Sequence, residues 1–418
     1  MIRPVEAQAP RPAPGITGPG GVPEAVRGPW AALVRTWASA PEWVLALAVY
    51  TVSRLLDGYV IDRLAWLAGA RSDGAHYRYP DILGNWDGTW YRAVLLHGYP
   101  AALPLDAAGQ VRPNTWAFYP LFPALVDGVM RLTGASFVVA ASIVSVVSGG
   151  ALAVLVQKLV AAVAGRRLAL WTVVLLCFFP SAAVLQLPYA ESTALALLAG
   201  VLLCLQRRRY LLAVPLVLLV GVARPIAVPL AAVVFLHAGR VLVGRHRGEE
   251  VLPGRAAAAL ATLCVAAVLA AVEWPLVAAV RTGRLDAYTQ TMASWRTPRE
   301  VLPFAPWFEA SRHFFGPLGV PILVLAVAAC LVWVLRPGAG VIAGDLRAWC
   351  LCYLAYLLAA MDSFTSLPRY LLPLFPLGTL LAAVSPNGRA YRVAVALAFA
   401  VGSVIWLAVV WRSKAMAP

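Results

Sequence analysis

Residues 210–243 read YLLAVPLVLLVGVARPIAVPLAAVVFLHAGRVLV. Two apolar runs, 210–223 and 226–243, meet at Arg224-Pro225, and each is short of the ~20 residues with which a helix crosses ~30 Å of hydrocarbon. Pro225 breaks the helix there, because it lacks an N–H and its ring clashes with the preceding turn. An arginine at such a break is expensive unless it faces a partner or water, or snorkels to the headgroups. Two questions follow: what solvent surrounds the apolar runs, and what does Arg224 face?

The solvent is lipid. The 418 residues are 61% hydrophobic and 13% charged, with a mean hydropathy of +0.77, against roughly 25% charged residues in a soluble domain. In a bilayer only helices satisfy their own backbone without closing into a barrel, so the chain reads as an all-α polytopic membrane protein. Eleven candidate spans lie at 41–61, 137–164, 168–186, 187–206, 210–223, 226–243, 256–280, 315–335, 346–361, 367–385 and 391–411. The formal charge of +15 is no argument for nucleic acid, because the basic residues sit mostly at the ends of apolar runs, where membrane topology puts them. Cys177, Cys204, Cys264, Cys330, Cys350 and Cys352 fall mostly inside apolar runs and read as small hydrophobes, and Cys350-Leu-Cys352 matches no metal signature. Residues 1–40, rich in Pro, Gly and Ala and lacking a signal-peptide core, read as a disordered cytoplasmic tail before one transmembrane domain, 41–418.

With the N-terminus inside, the connections at Arg166-Arg167, Arg207-Arg208-Arg209, Arg245-His246-Arg247, Arg336 to Arg347 and Arg389 to Arg392 all fall on the cytoplasmic side. The alternation requires that 117–132 not cross, so this run reads as an interfacial or re-entrant helix. Four polar segments then share the outer face: the first loop 62–136, then 186–192, 281–314 and 361–370. Seven of the nineteen carboxylates (Asp62, Asp73, Asp81, Asp87, Asp106, Asp127 and Glu191) lie in the first two. Carboxylates near lipid tend to mark function.

Within NWDGTWYRAVLLHGYP (85–100), Asp87 has two readings. It caps the short helix that follows, with Trp86, Trp90 and Tyr91 as an aromatic belt. Alternatively it is a general base: partly apolar surroundings raise a carboxylate's proton affinity, and Trp and Tyr faces stack on a sugar ring. A base of this kind needs cations for the phosphate of a leaving group, and Arg92, His97, Arg224 and Arg369 lie on or near that face. Tyr189 and Glu191 face the same cavity if the loops converge; otherwise Glu191 is a first-turn residue favoured by the helix dipole. Arg369 and Tyr370 open a proline-interrupted helix. Arg296, Arg299, Glu300 and Glu309, with Trp295 and Trp307 as candidate interfacial anchors, show no spacing that assigns roles. Phosphate-binding loops, dinucleotide fingerprints, zinc-protease motifs and serine-hydrolase elbows are all missing.

Trp86, Asp87, Trp90, Tyr91, Gly98 and Tyr99, then Ala117-Phe118-Tyr119-Pro120-Leu121-Phe122-Pro123, form a pattern. It resembles the family of GPI mannosyltransferase 2, the enzyme adding the second mannose of GPI anchors, and its bacterial relatives. FFPSAAVLQLPYAES (178–192), with Ala190 where that family commonly has serine, GVARP (221–225) and SLPRYLLPLFPL (366–377) continue the resemblance in order. It implies a GT-C-like helix bundle with its site at the outer face, a polyprenyl phosphate sugar as donor, and inversion at the anomeric carbon. Asp87 takes the catalytic position. Arg224, Arg369 and Arg92 are the candidates for the donor phosphate, and Trp86, Trp90, Tyr91, His97, Tyr119, Tyr189, Glu191 and Tyr370 for sugar or acceptor. No cofactor is expected, with a divalent ion at Asp87 and Glu191 left open. The implied activity is mannosyl transfer onto a cell-envelope glycan or glycolipid at a bacterial plasma membrane. The rival readings are another polyprenyl phosphate sugar, such as arabinose or glucose, and a lipid-linked sugar flippase. A flippase predicts related halves, and no repeat links 41–200 with 210–411.

Overall fold

Along most of this chain a backbone amide has no water to bond to, and it bonds to itself: among the described residues the architecture is helical, and the β pairing is a single isolated antiparallel bridge, Leu105 to Val111. The computed structural model describes residues 40–72, 79, 83–296, 299, 302–342, 344–360, 366–385 and 388–412. The expected tail, Asp73, Asp81, Glu300 and 361–365 thus lie outside the described residues, the tail save for residue 40. In chain order the helices are α1 (Glu42–Ser72), α2 (Asp87–His97), α3 (Leu121–Thr133), α4 (Phe137–Cys177), α5 (Glu191–Gln206), α6 (Tyr210–Gly221), α7 (Ala227–His246) and α8 (Gly254–Thr282). There follow α9 (Ala287–Ala293), α10 (Ala305–Phe315), α11 (Gly319–Leu335), α12 (Asp345–Ala360), α13 (Leu367–Tyr370), α14 (Pro376–Ala383) and α15 (Arg389–Arg412).

Among the described residues, six helices are long and apolar enough to cross a membrane: Glu42–Leu67, Phe137–Cys177, Ala227–His246, Gly254–Thr282, Ala305–Leu335 and Arg389–Val410. The architecture is that of a helical membrane protein. Shorter apolar helices, α5 and α6, pack among them. The expected break between 137–164 and 168–186 is present: Gly165 (φ 81°, ψ 162°), in a conformation that favours glycine, divides α4 into two helices, but the second ends at Cys177 rather than 186. Gln157 Nε2 donates to Arg166 O at 3.4 Å, which nine residues of straight helix would not allow. Helix stops at Cys177, and 178–190 descends through a 3₁₀ turn at Ala182–Leu185. The expected run 367–385 is likewise broken into α13, a 3₁₀ turn and α14, with prolines 368, 373 and 376 at the joints. Residues 121–133, too short to span, form α3, which lies against α2 and α4 and buries Phe122, Pro123 and Val126.

The core runs along α4, α5, α6 and α7, where Leu152, Leu159, Leu195, Leu198, Leu202 and Leu230 are buried. The flanks stay apolar and exposed, with Val324, Leu325 and Val332 on α11 between 55% and 69% accessible, as lipid contact requires. The ends of the bundle sort by charge. At one end Arg166 meets Glu42 at 2.8 Å, Arg208 meets Glu250 at 2.6 Å, and Arg240 and His237 meet Asp345. Asp87, Glu191, Arg224 and Arg369 gather at the other.

Candidate active site

Asp87 opens α2, and the residue before it is in an unusual state. Trp86 holds φ at 54°, a left-handed value that costs a side-chain-bearing residue of order 1–3 kcal/mol and clusters at functional sites. Gly88 follows because the turn packs tightly on the 186–190 segment: a Cβ there would lie 3.1 Å from Leu83 O and 3.4 Å from Pro188 Cβ. Asp87 is the acidic residue of the first turn of α2, where the helix dipole favours it, and its carboxylate accepts from Arg369 Nη1 at 2.5 Å.

Three more breaks deliver the partners. Glu191 is the first residue of α5, behind the irregular 178–190 segment. Arg224 sits in the 222–226 interruption between α6 and α7. Arg369 lies in α13, whose Pro368 carbonyl accepts from Ser181 Oγ at 2.8 Å. The four charges form an open ring of three ion pairs: Asp87 pairs with Arg369, whose Nε lies 3.2 Å from Glu191 Oε1, and Glu191 pairs in turn with Arg224. Arg369 and Glu191 side chains are 5% and 6% exposed, Arg224 and Asp87 16% and 19%. The charge sums to zero, which makes burial tolerable. Glu191 Oε2 is buried with no hydrogen-bond partner among the described residues, an acceptor left over inside the ring.

Burial pushes the Asp87 carboxyl above its ordinary range; Arg369 pulls it back, and Glu191 adds to the rise. The Arg369 guanidinium also stacks over Tyr189 at 5.1 Å and Tyr370 at 5.6 Å. Six of the expected residues therefore meet here: Asp87, Tyr189, Glu191, Arg224, Arg369 and Tyr370. Beside them runs an aromatic wall. Trp90 stacks on Phe118 at 5.5 Å and meets the edge of Trp295 at 5.0 Å. Tyr119 shares a 2.9 Å hydroxyl–hydroxyl bond with Tyr288. Trp86 is partly buried against the main core.

Other expected residues are placed elsewhere. Arg92 and His97 are exposed and do not join the ring. A helix turns 100° per residue, so Arg92 points about 140° away from Asp87, and His97 lies about 15 Å further along. Tyr91 borders the site, its hydroxyl within electrostatic reach of Arg224, Asp87 and Glu191, but its ring is buried between Phe118 and Phe122 at 5.3 and 4.9 Å, so its faces serve packing. In 281–314, Arg299 donates to Val111 O at 2.8 Å and pairs with Asp106, Arg296 donates to Ala360 O, Trp307 to Leu357 O, and Glu309 is exposed. Among the described residues no three His, Cys, Asp or Glu side chains gather to hold a metal.

Several contributors went unread in the sequence. Arg54 donates to Ala182 O at 2.6 Å and Cys177 O at 2.9 Å and pairs with Asp57 at 2.9 Å, pinning the segment that leads to Glu191. Two charges three residues apart inside an apolar run were the available signal. Tyr353 donates to Tyr370 O at 3.0 Å beside Arg369, and Tyr288 partners Tyr119; neither carries a local signature. The chain matches no family model, and no curated protein resembles it significantly in sequence.

Proposed function

We propose that this protein is an inverting glycosyltransferase of the GT-C type, moving mannose from a polyprenyl phosphate donor to a glycan or glycolipid of the cell envelope at the outer face of a bacterial plasma membrane. The observation that carries the reading is the buried ring of Asp87, Arg369, Glu191 and Arg224 at one end of an apolar bundle. Two neighbouring guanidiniums at that depth suit a lipid-linked phosphate, which Arg binds through paired N–H groups. In the resting ring both arginines are engaged by carboxylates. A donor phosphate competes for them, and as Arg369 turns to the phosphate it releases Asp87.

The freed carboxylate, its proton affinity raised by burial, takes the proton of the acceptor hydroxyl. The hydroxyl oxygen bonds to C1 of the sugar from the face opposite the phosphate. The C1–O bond breaks, and polyprenyl phosphate departs with the electron pair, its charge held by Arg369 and Arg224. One displacement inverts the anomeric centre. Tyr189, Tyr370 and the Trp90–Trp295 wall border the place where sugar and acceptor sit.

The test is donor choice in proteoliposomes, with polyprenyl phosphate esters of mannose, glucose and arabinose offered beside nucleotide-linked mannose, and the product anomer read by NMR. Transfer of mannose from the lipid-linked donor with inversion is expected. Transfer only from the nucleotide sugar, or movement of intact lipid-linked sugar across the bilayer without transfer, contradicts the reading; the second outcome is what a flippase gives.

A further inference from the structure

The end of the bundle opposite the ring carries a second built site. α5 links the two, with Glu191 at its first residue and Gln206 at its last, about 22 Å apart along the helix. A cavity of about 300 Å³ opens there, between α4, α5, α7, the 247–253 connection and the start of α12. One wall is apolar, and Val163 on it is 39% exposed and leads out to the lipid-facing flank. The other wall holds Gln206, Arg208, His237, Arg240, Glu250 and Asp345.

Part of that wall is saturated from within. His237 Nδ1 lies 3.0 Å from both Asp345 oxygens, its Nε2 lies 3.2 Å from Tyr210 Oη, and Arg240 pairs with Asp345. Glu250 engages Arg208 through Oε1 at 2.6 Å. What remains unsatisfied comes in two kinds. Glu250 Oε2 and Gln206 Oε1 are buried acceptors with no partner among the described residues. Arg208 and Arg240 are 45% and 46% exposed, and a guanidinium carries five N–H donors, more than one carboxylate can accept. Arg208 is held at φ 54°, a strained setting for a residue with a side chain.

Leftover acceptors call for a ligand with N–H donors, and leftover guanidinium donors call for an anion. The four charged groups sum to zero, so the complement is a zwitterion rather than a net anion. We propose that this cavity binds the headgroup of an aminophospholipid, its phosphate on Arg208 and Arg240 and its primary ammonium on Glu250 Oε2 and Gln206 Oε1. The volume holds a headgroup and little more, so the acyl chains stay in the bilayer along Val163. A quaternary ammonium has no N–H to give and fits poorly. Nothing in this assignment depends on the transferase reading, and its test does not use activity.

The experiment is native mass spectrometry of the full chain in detergent, titrated with phosphatidylethanolamine, its N-methyl and N,N-dimethyl derivatives, phosphatidylcholine and phosphatidylglycerol of identical acyl chains. Affinity is expected to fall with each methyl, by about tenfold across the series, as N–H donors are lost. Gln206→Leu with Glu250→Gln is expected to flatten the series, and Arg208→Gln to weaken every member. Equal binding of ethanolamine and choline lipids by the wild type, or tighter binding of phosphatidylglycerol, overturns the proposal whether or not the variants fold. Displacement of bound lipid by water-soluble glycerophosphoethanolamine at matching concentration assigns the site to a free metabolite and overturns the lipid source.

Discussion

A base that takes a proton from a hydroxyl has to arrive ionised and leave protonated, and in the proposed reaction the surroundings of Asp87 set how readily it would do both. Burial raises its proton affinity above that of free aspartate at ~3.9. The carboxylate population, and with it kcat/KM, therefore falls as pH drops through a midpoint displaced upward from that value; a profile flat from pH 4 to 8 contradicts the assignment. Arg369 is the second decisive residue, because its Nη1 and Nε hold Asp87 and Glu191 through separate atoms. Lysine presents one nitrogen at the end of a flexible stem, so Arg369→Lys is expected to lower kcat/KM for the donor by ~10–100-fold with the protein still folded. At this scale much was legible. Asp87, Glu191, Arg224 and Arg369 stood out because charge is costly in an apolar chain. Arg92 and His97 lie apart from the four charges because loop membership does not say which way a helix turns its side chains, and Tyr288 has no local signal because its partner Tyr119 lies 169 residues away.

Each ring residue sits where a helix begins or is interrupted, and close packing holds those breaks in place. Gly221 closes α6 just before Arg224, and a Cβ there would lie 2.0 Å from Glu273 Oε1 and 2.4 Å from Ala270 O on α8. Backbone cannot yield as a flexible side chain does. Gly221→Ala is expected to destabilise by ~1–3 kcal/mol and to lower activity by displacing Arg224. Gly128→Ala on α3 is the control: nothing lies within 4 Å of its Cβ, and helix propensity predicts a gain of ~0.5–1 kcal/mol. Denaturant unfolding in mixed micelles compares the two. Helix interruptions at Pro225 and at prolines 368, 373 and 376 were readable from sequence, since proline's geometry is local. The end of α4 at Cys177 had the same kind of signal in Pro180, whereas the path of the chain after it did not. Pro180 marks a stop nearby, but the course of the segment beyond it is set by Arg54, which bonds to it from 123 and 128 residues away.

Across the whole molecule the alternation of basic connections did foretell which residues share an end. Arg208 with Glu250, and Arg240 with Asp345, meet at one end, while the acid-bearing segments converge at the other. Pairing of connections follows from counting spans, whereas depth and tilt depend on packing that no single run encodes. The direction in which this bundle sits is open to a direct check. Cysteine placed at exposed Ala107 or exposed Glu249 should react with a membrane-impermeant maleimide only from outside and only from inside whole cells, respectively. Labelling of Glu249→Cys from outside would reverse the orientation and place the ring in the cytoplasm.

The central claim is that Asp87 is the base of a lipid-linked sugar transfer, and the most direct measurement compares wild type with Asp87→Asn in proteoliposomes supplied with polyprenyl phosphomannose and a short mannoside. The account predicts transfer by the wild type and a loss of at least ~100-fold in the variant, with the fold and donor binding both retained. Equal transfer by the two proteins would contradict it.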